Sequence, residues 1–147
     1  MKNPILVLIT FSLLSACSKS TTADVVPTNQ ITMKIDGIAW SGNTLSAFID
    51  NETLVFNAIN LTTQETVGAV VGKVTGPGTY KVGVRTGNGL LFSKKTPTPL
   101  IYSGFDDGIL VVSSIKTVAG QQVPTGTFTV TFVNKDAGKI KATEGKY

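Results

Sequence analysis

Few side chains in this sequence can do chemistry, and that scarcity narrows the possibilities. Histidine is absent and cysteine occurs once, at Cys17. The commonest general base, the usual nucleophile–histidine–acid triads and the commonest zinc ligand are therefore missing. One cysteine forms neither an intrachain disulfide nor a multi-thiolate metal site. Carboxylates remain. Asp106-Asp107 is the only adjacent acidic pair, within Phe105-Asp106-Asp107-Gly108. Half of a calcium site is one reading, but calcium takes about six to eight oxygen ligands, and no Asp/Asn-rich loop surrounds the pair. Asp and Gly are also standard turn residues, so a turn is the stronger reading. Two carboxylates drawn from Asp50, Glu52, Glu65 and Asp136 would suit glycoside hydrolysis if the fold set them at the right separation. Gly87-Asn88-Gly89 lacks the following helix that a phosphate loop needs, and reads as a hairpin turn. The sequence points to no catalytic residue, no metal site and no cofactor.

Cys17 is the exception, because a thiolate is a soft, strong nucleophile. It follows Leu14-Ser15-Ala16, whose small residues let a peptidase reach the backbone. Upstream, Lys2 supplies one positive charge, and residues 4–14 are apolar apart from Thr10 and Ser12. That is the pattern of an export signal, and it is shorter than the roughly 20 apolar residues of a membrane-spanning helix. Leu-Ser-Ala-Cys resembles the lipobox of bacterial lipoproteins; an ordinary signal with a chance cysteine is the alternative. The resemblance implies that residues 1–16 are a signal peptide cut before Cys17, and that Cys17 carries a diacylglyceryl thioether and an acylated amine. Two or more chains, at about 0.8 kcal/mol per buried CH₂, anchor a protein stably. The implied location is the cell envelope, at either face of the outer membrane. Residues 17–29, polar and rich in Ser and Thr with Asp24 the sole acid, read as the lipidated cysteine and a flexible tether.

Residues 30–147 read as one domain of a size able to bury a core. The chain's formal charge of +4 is mild and dispersed, which gives no case for nucleic acid. Strands are predicted over residues 30–35, 44–50, 52–61, 66–75, 79–85, 90–92, 100–102, 109–118, 125–133 and 139–147. Asp36-Gly37 is the strongest hairpin signal, since a type I′ turn needs positive φ at both positions. Its register sets Ile35 against Ile38 and Met33 against Trp40, all four on one face. Further turns are expected at Asp50-Asn51, Gly76-Pro77-Gly78 and residues 134–138, with Pro97-Thr98-Pro99 a loop or sheet edge. Tyr80, Val82 and Val84 should point inward, as should Phe128, Val130, Phe132, Ile140 and Ala142. Tyr102 and Phe105, beside loops, are the aromatics best placed for exposure and sugar stacking. Ile109-Leu110-Val111-Val112 is apolar on both phases and suits a central or covered strand. Lys135, Lys139, Lys141 and Lys146 form one basic cluster, which either meets anionic lipid or guards a strand edge. No helical period follows Cys17. The predicted fold is an all-β antiparallel sandwich of about 8–10 strands, with a closed barrel as the alternative.

Four motifs span this domain: Ile31-Thr32, Lys34, Asp36-Gly37 and Trp40; Gly76 with Gly78-Thr79-Tyr80; Gly126-Thr127-Phe128 with Phe132; and Gly145-Lys146-Tyr147. Together they resemble a family of Bacteroidota lipoproteins of unknown function, a resemblance that brings no activity with it. The expectation is a non-catalytic binding or structural module, held to the membrane through Cys17, with a glycan or protein partner. Two other classes stay open: a small envelope hydrolase using carboxylates alone, and a barrel holding a hydrophobic ligand.

Overall fold

The computed structural model describes residues 30–95, 98–104 and 107–147. Residues 1–29, which hold the expected signal peptide, Cys17 and the expected tether, lie outside the described residues, as do Thr96, Pro97, Phe105 and Asp106. Ten strands follow in order: β1 Gln30–Ile35, β2 Ile38–Asp50, β3 Thr53–Ile59, β4 Thr66–Val71, β5 Gly78–Val82, β6 Gly89–Lys94, β7 Leu100–Gly104, β8 Gly108–Val118, β9 Gln121–Asn134 and β10 Gly138–Lys146. A three-residue 3-10 turn, Val84–Thr86, joins β5 to β6. Val84 therefore leaves the strand in which the sequence placed it.

All pairings are antiparallel, and the strand order β10-β1-β2-β3-β4-β6-β7-β9 closes on itself through β9–β10. One all-β sheet thus curls into a ring around its core, between the sandwich and the barrel that the sequence suggested. β8 continues the sheet beyond β9, and β5 lies outside β8. The long β9 carries the fork: its residues 121–129 pair with β8, and Phe132 and Val133 pair with β7.

The turns explain the register. Asp36 and Gly37 have φ of 48° and 84°, and Ile35 pairs with Ile38 and Met33 with Trp40, as expected. Ile38 is nevertheless 75 % exposed, although its partner Ile35 is buried. In the next hairpin the turn falls on Asn51-Glu52, one residue later than predicted, with positive φ at both. That register sets Leu54 rather than charged Glu52 across from buried Ile49. A bulge at Leu45 switches the inward phase of β2 from the even positions of Trp40 to the odd position of Ile49. The return arm of the first hairpin and the strand predicted over residues 44–50 are thus one 13-residue strand. A tight turn at Ala119-Gly120 (φ 49° and 81°) starts β9 four residues earlier than predicted.

The core is continuous and rich in rings. Trp40, Tyr102 and Phe132 surround Phe92 at centroid distances of 6.1, 6.4 and 5.8 Å. Phe56 packs on Phe128 at 5.6 Å and on Tyr147 at 4.9 Å. Tyr102 is buried, which corrects its expected exposure: the even positions of β7 face inward beside Phe92. On β8, Leu110 and Val112 are buried while Ile109 is 50 % exposed. The strand is central by pairing, yet its outer face meets solvent.

Two of the sequence motifs prove to be one structural unit. Gly126 and Tyr147 exchange backbone hydrogen bonds of 3.0 and 3.1 Å, and Gly145 pairs with Phe128. Each glycine lies beneath an aromatic ring. A Cβ on Gly145 would stand 2.6 Å from three Phe128 ring atoms, and one on Gly126 would stand 2.7 Å from the Tyr147 hydroxyl oxygen.

Candidate functional site

The inward phase of the ring changes character at one end. Ala58, Val67, Phe92 and Tyr102 stand in register across β3, β4, β6 and β7, and all four are buried. Two residues further along each strand direction, the same phase carries Asn60, Glu65, Lys94 and Leu100. Lys94 and Leu100 are paired; Asn60 and Glu65 share a backbone bond of 2.9 Å; and the β4–β6 register, continued by one residue, sets Glu65 opposite Lys94. All four are half-buried. A layer that would continue the core is instead mostly polar, and it forms the mouth of the ring.

The loop between β3 and β4 fixes this layer. Asn60 Oδ1 accepts from the backbone N–H groups of Thr62 and Thr63 at 2.9 and 3.0 Å, and its Nδ2 donates to the Ser41 carbonyl at 2.9 Å. Asn60 is thereby committed to shaping the turn. Glu65 Oε2 accepts from Trp40 Nε1 and from Thr63 Oγ1, both at 3.0 Å. These charge-assisted bonds hold the carboxylate in one orientation. Trp40 in turn lies over Gly42, where a Cβ would meet the indole at 2.5 Å. A pocket of about 260 Å³ opens here, lined by Ile35, Ile38 and Trp40 on one side and by Asn60, Thr63, Glu65, Phe92 and Lys94 on the other. Lys94 Nζ is 6.0 Å from the Phe92 ring centroid, at the outer limit of a cation–π contact. It has no hydrogen bond or ion pair among the described residues. Mouths of rings and barrels are common positions for small-ligand sites, where a few fixed polar groups stand among apolar ones.

The other candidates from the sequence are scattered. Asp50 and Glu52 are exposed around the Asn51-Glu52 turn, and Asp136 is exposed in the β9–β10 loop. Asp107 is exposed with φ 63°, in the turn conformation expected of it. Among the described residues no three acidic side chains gather in a metal-binding group. Asn88, read as a turn residue, is a cross-brace: its Oδ1 accepts from Gly72 N–H and its Nδ2 donates to the Lys81 carbonyl, both at 2.9 Å. Lys135, Lys139, Lys141 and Lys146 are exposed. β10 pairs on both sides, with β1 and β9, so these lysines guard no free edge. Tyr80 is half-buried, its hydroxyl donating to the Gly76 carbonyl at 2.6 Å. Burial, and to a lesser degree Tyr80, pushes the Tyr147 phenol well above its ordinary value. Its hydroxyl donates to the Val111 carbonyl at 3.1 Å.

Glu65 appeared in the sequence only as one of four scattered carboxylates, and Lys94 did not stand out. The signal that reveals them is a charged residue on the buried phase at a strand end, with a second on the neighbouring strand. That signal is readable once the register is known.

A curled antiparallel ring with a polar mouth and no α-helix among its described residues defines the protein's structural class. The chain belongs to the family described as a domain of unknown function (DUF6252), which matches residues 28–146. No curated protein and no solved structure matches it.

Proposed function

We propose that this protein is a lipid-anchored protein of the bacterial outer membrane, held through Cys17, whose β-domain is a non-catalytic binding module for a glycan or protein partner. The polar mouth carries the reading. Lys94 stands on the inward phase of β6, and Asn60 and Glu65, at the two ends of the β3–β4 loop, continue the inward phase of strands whose other inward side chains are buried and apolar. A few fixed polar groups beside apolar walls in one pocket is the composition of a small-ligand site. The lipobox-like Leu14-Ser15-Ala16-Cys17 supports the anchor.

Cys17→Ala tests the anchor: the protein should leave the membrane fraction and lose its lipid mass. A variant that stays membrane-bound at unchanged lipid mass refutes it. Glycan arrays and envelope pull-downs with the full chain test the module. A blank result in both, together with turnover of a glycoside substrate, would favour the hydrolase instead.

A further inference from the structure

Lys94 is the unusual group at the mouth. It is half-buried with its Nζ 6.0 Å from the Phe92 ring centroid, faces Glu65 across the strands, and makes no hydrogen bond or ion pair among the described residues. Glu65 spends Oε2 on Trp40 and Thr63, while Oε1 takes no hydrogen bond among those residues. The pocket therefore presents one fixed acceptor, one cation with no ion pair among the described residues, and the hydrocarbon of Ile35 and Ile38, in about 260 Å³.

We infer that the mouth binds a single acidic sugar residue, its carboxylate on Lys94 Nζ and its ring hydroxyls donating to Glu65 Oε1. The inference rests on the binding-module reading and names its ligand class. A neutral sugar would give Glu65 its donors but would leave Lys94 without the charge-assisted bonds that a carboxylate makes. A simple anion would satisfy Lys94 but would bring no donor to Glu65 Oε1. A carboxylate on a polyol ring meets both, with its C–H face on the isoleucines. The mouth opens to solvent beside exposed Ile38, so the sugar can sit at the end of a longer glycan.

Trp40, the chain's single tryptophan, is bonded to Glu65 and lies on the pocket wall, so its fluorescence reports occupancy. The experiment titrates full-length protein in detergent with D-glucuronate and with D-glucose, for wild type, Lys94→Met and Lys94→Arg. Glucuronate should bind at least about tenfold more tightly than glucose. Lys94→Met should remove that preference while keeping the wild-type melting temperature, and Lys94→Arg should keep it. Equal affinity for the two sugars in wild type, or a preference that survives Lys94→Met, overturns the acidic-sugar assignment and leaves the module standing. If neither sugar changes the fluorescence and the glycan and protein screens are also blank, the module reading falls with it.

Discussion

Replacing Gly145 by alanine tests whether the paired glycine–aromatic motifs act as a packing clasp. Gly145 is not among the residues with positive φ, so alanine is conformationally admissible, and removing a glycine from a strand would by itself help slightly. The obstacle is steric. The new Cβ would stand 2.6 Å from Cδ1, Cε1 and Cζ of Phe128, whereas carbon atoms pack at about 3.5–4.0 Å, so the ring must retreat by about 1 Å. Phe128 is 2 % exposed and backed by Phe56 and Tyr147, which leaves the ring little room to move. Overpacking of this kind costs about 1–3 kcal/mol. At a urea dependence of about 1–3 kcal/mol per M, the unfolding midpoint should fall by about 1 M. Gly76→Ala is the control. Nothing lies within 4 Å of its Cβ position and its φ is not positive, so the change should stay within about 0.5 kcal/mol. Urea titrations followed by Trp40 fluorescence measure both. Midpoints for Gly145→Ala and Gly76→Ala that coincide would refute the clasp.

Three further outcomes follow from the same packing. Gly126→Ala should be worse than Gly145→Ala, since its Cβ would collide with the Val111 carbonyl oxygen, part of the backbone rather than a side chain; a milder effect would show that β8 gives way there. Gly37→Ala meets open space but holds φ at +84°, so it should cost about 1–2 kcal/mol, and Gly37→Asn should recover much of that. The raised pKa of Tyr147 means the folded phenol stays neutral where the unfolded one ionises. Its contribution is whole below the ordinary value of about 10 and is lost as pH rises from there. Tyr147→Phe should flatten the fall in urea midpoint above about pH 10, and at neutral pH should cost about 0.5–1.5 kcal/mol for the lost bond to Val111. An unchanged alkaline slope would show that Tyr147 is not the group responsible.

The sequence by itself determined the all-β class, because period-two alternation in segments such as residues 128–132 and the turn residues between segments are local properties. It also set the Asp36-Gly37 hairpin with its register, since a turn needing two positive φ values admits few residues. The Ala119-Gly120 turn was hidden because Ala is an unusual occupant of its first position. The bulge at Leu45 was hidden because nothing in the local pattern distinguishes an extra residue from a change of phase. Tertiary structure alone decided that the sheet closes through β9 and β10, that glycines 126 and 145 each lie under a ring from across the ladder, and that Glu65 faces Lys94. Each of these depends on which strands become neighbours. That choice is made by the joint burial of side chains far apart in sequence, such as Phe56 and Tyr147, and no single segment encodes it.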